Sequence, residues 1–118
     1  MSDSLENFQK TRTDLNKEVL GCDHLGMKRF FALDHQAYEP GPLGTKTKEL
    51  LGLVASAVLR CDDCITYHLV RAAEEGWNRD EVIDALNVAM VVGGSITIPH
   101  VRRAFGRMRE IDGLKPKG

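Results

Sequence analysis

Residues 49–68 read ELLGLVASAVLRCDDCITYH, and the reading of this stretch decides the fold. An apolar run headed by one acid, Glu49, leads into Cys61-x-x-Cys64, and His68 follows four residues after the second cysteine. From Leu50 to Leu59 the run is apolar almost all round a helical wheel, which predicts a central buried helix. Glu49, Gly52, Ser56 and Arg60 fall close to one side of it, and the small residues among them would let a second helix approach on the side where Glu49 points. After a short break at Arg60 and Cys61, the residues Cys61, Cys64, Ile65, His68, Leu69 and Ala72 recur at helical spacing. They predict one inward stripe on a helix that ends at Gly76. Asp62, Asp63, Arg71 and Glu74 fall off that stripe.

Outward from this pair the chain keeps the same period. Ser4 is a candidate N-cap for a first helix carrying Leu5, Phe8, Leu15 and Val19, which Gly21 ends. Asp23 is the expected cap of a second helix, with Met27, Phe30, Phe31 and Tyr38 as its apolar bulk. Glu39-Pro-Gly-Pro-Leu-Gly44 cannot continue a helix. Thr45 or Thr47 then opens the helix of the quoted stretch. Asn78-Arg-Asp-Glu81 has the spacing of a capping box, opening a fifth helix through Val82, Leu86, Ala89 and Val92 that Gly93-Gly94 stops. In a sixth, Val101, Ala104, Phe105, Met108 and Ile111 share a face, with Pro99 in the first turn. No useful stretch alternates with period two. The expectation is an all-α fold of about six helices in a single domain, residues 1–118, with a helical pair over 1–39 and a core over 45–112 that carries the cysteine motif.

A chain of 118 residues can bury a core without staples. Its 16 basic and 17 acidic residues nearly cancel, so its charge offers nothing to nucleic acid or to an anionic membrane. The longest apolar run is about half of the roughly 18 residues a membrane helix needs. The N-terminus Met-Ser-Asp-Ser-Leu-Glu-Asn is polar and acidic, unlike a secretory signal. The expected setting is a reducing cytoplasm, where a close cysteine pair points to redox chemistry or metal binding.

Cysteines three apart at a helix start lie on one side, close enough to form a disulfide. Cys61 sits at the positive end of the helix dipole, which favours a thiolate, while the neighbouring Asp62 and Asp63 oppose it. Cys64 has His68 one turn on, within reach as a base for its proton. The balance points to Cys64 as nucleophile and Cys61 as resolving thiol. Three readings fit the spacing: a reactive dithiol; a metal site on Cys61, Cys64 and His68, with a fourth ligand from Cys22, His24, His100 or an acid; and buried cysteines beside a core histidine. The dithiol reading calls for no cofactor and no resident metal.

The spacing Glu49, Cys61-x-x-Cys64, His68 resembles the AhpD-like alkylhydroperoxidase branch of the carboxymuconolactone decarboxylase superfamily. So do Lys48-Glu-Leu-Leu51, Cys64-Ile-Thr-Tyr-His68, and Gly76 followed by Asn78-Arg-Asp-Glu81. The resemblance covers roughly residues 25 to 110. It implies the all-α AhpD-like helical fold and a homo-oligomer, trimer or hexamer, with the hexamer favoured. It also implies a thiol-dependent peroxidase that reduces a hydroperoxide and is reset by an external thiol or dithiol. By position, Glu49, Cys61, Cys64 and His68 take the family's catalytic places, with the acid and the histidine as a proton relay. One family position differs. AhpD has a second histidine between its cysteines where this chain has Asp63, so the implied relay is shorter or runs through water. The lactone decarboxylases lack the cysteine pair, which weighs against decarboxylation.

The remaining candidates have plainer readings. Glu49 alone would read as an acid stabilising a helix N-terminus; the family spacing is what moves it into the site. His100 reads as a capping or surface residue that could line the site, and His24 and His35 as solvated or packed. Cys22 reads as a lone thiol, and Trp77 as a packing anchor. Arg102, Arg103, Arg107 and Arg109 read as a solvated or subunit-facing surface.

Overall fold

The computed structural model describes residues 4–118. Among them are six α-helices and no strand: α1 (Leu5–Gly21), α2 (Leu25–Ala37), α3 (Thr45–Val58), α4 (Asp62–Glu74), α5 (Arg79–Gly93) and α6 (Ile98–Met108), with a short 3-10 turn at Ser95–Thr97 before the last. The all-α expectation of about six helices holds. The chain divides into two compact units, one ending at Glu39 and one running Pro40–Gly118. The division falls in the proline–glycine run.

In the first unit, the Ser4 hydroxyl accepts the Asn7 N–H at 3.1 Å and opens α1. Gly21 closes it, and Cys22 follows, exposed. The cap of α2 is not Asp23. Asp23 takes a left-handed backbone, with φ of 64°, to reverse the chain, a conformation aspartate tolerates better than most residues. His24 takes the cap instead, its Nδ1 accepting the Met27 N–H at 3.2 Å. Neither α1 nor α2 has a buried residue. Met27 and Phe30 are exposed, and Phe31 and Tyr38 are partly covered.

The second unit is built on α3, which packs against both α4 and α5, while α6 packs against α4. Leu53 and Ala57 of α3, Ile65, Leu69 and Ala72 of α4, and Val82, Leu86 and Ala89 of α5 form the core, closed by Ala104 and Met108 of α6. Leu114 is also fully buried, so packing continues past residue 112. The Arg79 guanidinium ties this end down by donating to the Leu114 carbonyl at 2.9 Å.

The central place of α3 agrees with its composition, but its third face is open. Leu51 and Leu59 are 54% and 76% exposed, because neighbours cover only the sides facing α4 and α5. Val92, expected to point inward, is exposed as well, on a stripe of α5 shared with Val88 and Val91. A helix with two covering neighbours buries only part of its circumference, however apolar the remainder.

Two turns position the site. Past the end of α3, the Arg60 N–H bonds to Ala57 O and the Cys61 N–H to Ser56 O. This is the Schellman pattern, with Arg60 at φ of 61° in the position glycine usually takes. The turn is so short that Cys61 becomes the N-cap of α4. The same pattern ends α4, with Trp77 N–H to Ala72 O and Gly76 at φ of 99°. Asn78 and Glu81 then make the expected capping box of α5.

Candidate active site

Cys61 and Cys64 are joined by a disulfide with their Cα atoms 5.2 Å apart, an ordinary separation for such a bond. As N-cap, Cys61 uses its sulfur to accept the Cys64 N–H at 3.3 Å. A backbone donor and the positive end of α4 therefore both address the Cys61 sulfur, and both favour negative charge on it.

The inward stripe of α4 is interrupted at the cysteines. Ile65, His68, Leu69 and Ala72 are buried, but Cys61 is only partly covered and Cys64 is exposed. The first turn of α4 sits at the surface end of the α3–α4 hairpin, where solvent reaches it. This corrects the expectation that both thiols point into the core. It leaves Cys64 at the surface.

One turn further on, the chemistry is buried. Glu49, 1% exposed, lies in the second turn of α3 and faces α4. Its Oε1 is 2.9 Å from Nδ1 of His68, itself 8% exposed. With Nδ1–H donating to the carboxylate, the neutral imidazole carries its lone pair on Nε2. The ring edge of Tyr67 lies against the imidazole, with centroids 5.1 Å apart. Ser56, expected on the Glu49 side of α3, is buried.

Glu49 has a second partner, which spacing alone did not reveal. Nε of Arg71 lies 3.4 Å from Glu49 Oε2, while the same guanidinium bonds to Glu74 at 2.7 Å and Glu75 at 2.9 Å. The hydrogen bond to Glu74 raises the Arg71 pKa most; that to Glu75 and the charges of Glu49 and Glu74 add to it, and burial opposes. The guanidinium is a fixed cation beside the buried carboxylate. A signal was present: Arg71 is seven residues after Cys64 and three after His68, on the same side of the helix. The helical period nevertheless places it just off the inward stripe, as it does Glu74.

The other candidates fall elsewhere. His100 bonds through Nδ1 to Asp62 Oδ1 at 2.7 Å, and Arg103 to Asp62 Oδ2 at 2.9 Å. Arg103 thus holds an intramolecular partner instead of only facing solvent. Arg107 lies 3.6 Å from Glu110. Trp77 is an anchor as expected: its indole N–H donates to Lys46 O at 2.7 Å, and the Lys46 ammonium sits 4.5 Å from the ring centre. His24 serves as the helix cap already described. No group of three His, Cys, Asp or Glu side chains is arranged to hold a metal ion among the described residues. Nor is any helix among them long and apolar enough to cross a membrane.

The fold has known counterparts. The sequence model of the carboxymuconolactone decarboxylase family matches residues 25–106. The chain belongs to that family. Among solved members, a Thermotoga maritima protein is 57% identical. One of its crystal structures superposes with a TM-score of 0.86 over 89% of this chain and 92% of that one. A second superposes at 0.84 over 88% of each, and for that carboxymuconolactone decarboxylase family protein a part in the antioxidative response has been suggested. A carboxymuconolactone decarboxylase family protein of Legionella pneumophila, solved in its apo form, is 25% identical, with a TM-score of 0.79 over 98% of this chain and all of that one. An uncharacterised Paracoccus denitrificans protein of the cox locus is 30% identical over 71% of this chain and 76% of its own length.

Proposed function

We propose that this member of the carboxymuconolactone decarboxylase family is a thiol-dependent peroxidase that works as a peroxiredoxin-type antioxidant. The observation that carries the reading is the pairing of an accessible Cys61–Cys64 disulfide with a buried Glu49–His68 hydrogen bond on the same helix pair. A solvent-facing thiol meets the peroxide, and a protected acid–base pair handles the protons.

In the reduced enzyme, His68 takes the proton of the Cys64 thiol. The thiolate attacks the distal oxygen of a hydroperoxide, the O–O bond breaks, and the leaving alkoxide takes a proton to depart as an alcohol. Cys64 becomes a sulfenic acid. The Cys61 thiolate attacks that sulfur, hydroxide leaves and becomes water, and the disulfide forms. An external dithiol returns two electrons by exchange and restores both thiols. Glu49 holds the His68 ring by Nδ1 and stabilises the imidazolium that forms; Arg71 in turn holds Glu49. No metal or organic cofactor takes part.

The exposure of Cys64 supports it as the attacking residue, and the N-cap place of Cys61 suits a resolving thiolate. The exposed apolar stripes on α3 and α5 support a homo-oligomer, for which a hexamer is the arrangement we favour over a trimer. The net charge of −1 speaks for small-molecule substrates and against nucleic acid. Dependence on free thiols fits a reducing cytoplasm.

The test is turnover of an alkyl hydroperoxide with a dithiol reductant. Cys64→Ser and Cys61→Ser are each expected to abolish it. Glu49→Gln should lower it about a hundredfold, in the range that general acid–base groups contribute. Full turnover in Cys64→Ser would sink the mechanism, and a lactone decarboxylase activity that survives loss of both cysteines would replace it.

A further inference from the structure

Asp62, covalently next to Cys61, is an ionisable group that the reaction above does not use. It is the first residue of α4, directly after Cys61. Its effect there should be divided. A carboxylate at a helix N-terminus favours the helix, but the same charge opposes a thiolate one residue away.

The structure compensates that charge from another helix. Both carboxylate oxygens are engaged by α6: Oδ1 by His100 Nδ1 at 2.7 Å, and Oδ2 by Arg103 at 2.9 Å. His100 is largely covered, its side chain 19% exposed, while Asp62 is 40% and Arg103 60% exposed. Paired to two donors, one of them a permanent cation, Asp62 projects little net negative charge toward its neighbour. The other ionisable groups around this helix start are Arg60 in the turn, the exposed Asp63, and the Glu49–His68 pair one turn deeper.

We propose that His100 and Arg103 are positioning residues for the dithiol: by holding the Asp62 carboxylate against α6, they keep Cys61 available as the thiolate that closes the disulfide. The proposal rests on the thiol chemistry given above. The step it serves is attack of the Cys61 thiolate on the Cys64 sulfenic acid. The S–S bond forms, the S–O bond breaks, and hydroxide leaves with a proton as water; the Cys61 sulfur is oxidised and the sulfenic sulfur reduced. If Cys61 stays protonated, the sulfenic acid persists, and further peroxide carries it to sulfinic acid.

The test is a thiol titration that needs no peroxide. In the full-length Cys64→Ser protein, reduced, the ultraviolet absorbance of the Cys61 thiolate is followed against pH. His100→Asn with Arg103→Gln is expected to raise the midpoint by about one pH unit, as an uncompensated neighbouring charge does, and Asp62→Asn to lower it. In the Asp62→Asn background the double change should have no effect. If the double variant loses helical signal, Arg103→Gln alone carries the test, with an expected rise of about half a unit. An unchanged midpoint, or an equal rise in the Asp62→Asn background, overturns the proposal. A peroxide pulse on the protein with both cysteines, read by mass spectrometry, should give more Cys64 sulfinic acid in the double variant. The expected midpoint shift in a protein without peroxide turnover would sink the peroxidase reading and leave this one standing.

Discussion

The Arg71 guanidinium meets three carboxylates, those of Glu74 and Glu75 at the end of its own helix and the buried one of Glu49 on the preceding helix. Glu49 therefore rests on two donors in a place closed to water. Removing one leaves a buried charge half satisfied, so Arg71→Gln is expected to destabilise the protein by about 2 kcal/mol, measured by urea unfolding. Arg71→Lys should recover only part of that, since an ammonium cannot serve three acceptors in the fixed directions of the fork. The Glu49–His68 contact was legible from the family spacing, whereas Glu49 alone read as an acid at a helix N-terminus. Arg71 falls just off the inward stripe, so periodicity gave no reason to join it to Glu49. The bonds from His100 and Arg103 to Asp62 span 38 and 41 residues, and no local pattern encodes a contact made by α6 folding back over α4.

At the scale of the helix, the turn at Arg60 sets the Cys61–Cys64 pair in place, and it does so with a residue poorly suited to its backbone. Arg60→Gly removes the cost of a left-handed side-chain-bearing residue and is expected to raise stability by about 1 kcal/mol, read as a higher denaturant midpoint with turnover retained. The opposite holds at the end of α5. A Cβ at Gly93 would come within 2.5 Å of the Thr97 methyl and 3.7 Å of the Val58 Cα. Thr97 cannot easily yield, being fully buried and bonded through its hydroxyl to Gly94 O at 2.8 Å. Gly93→Ala should therefore cost about 1–3 kcal/mol through overpacking. Helix existence and most ends were readable from caps and glycines. Asp23 was the exception: aspartate is both a good cap and a good left-handed residue, and the second property won.

Across the whole molecule, apolar side chains outnumber the places that bury them. Leu51 of α3 and Leu59 just after it, Val88, Val91 and Val92 of α5, and Ile96 are all exposed within the second unit. In the first unit Leu25, Phe30 and Leu33 are each about 60% exposed or more. Periodicity identified these residues as helix faces to be covered, but it cannot say whether the cover comes from the same chain. If copies of the chain supply it, Val91→Lys is expected to lower the mass measured by light scattering while the helical signal stays intact. Trp77 offers a way to watch the two units separately. It is the only tryptophan, and its indole clamps the α4–α5 turn to the backbone at Lys46, inside the second unit. Intrinsic fluorescence is thus a local gauge of that unit, whereas far-ultraviolet dichroism sums the helices of both. Since no residue of α1 or α2 is fully buried, dichroism should begin to fall at a lower denaturant concentration than fluorescence. The gap between the two curves measures how far the N-terminal helices melt on their own.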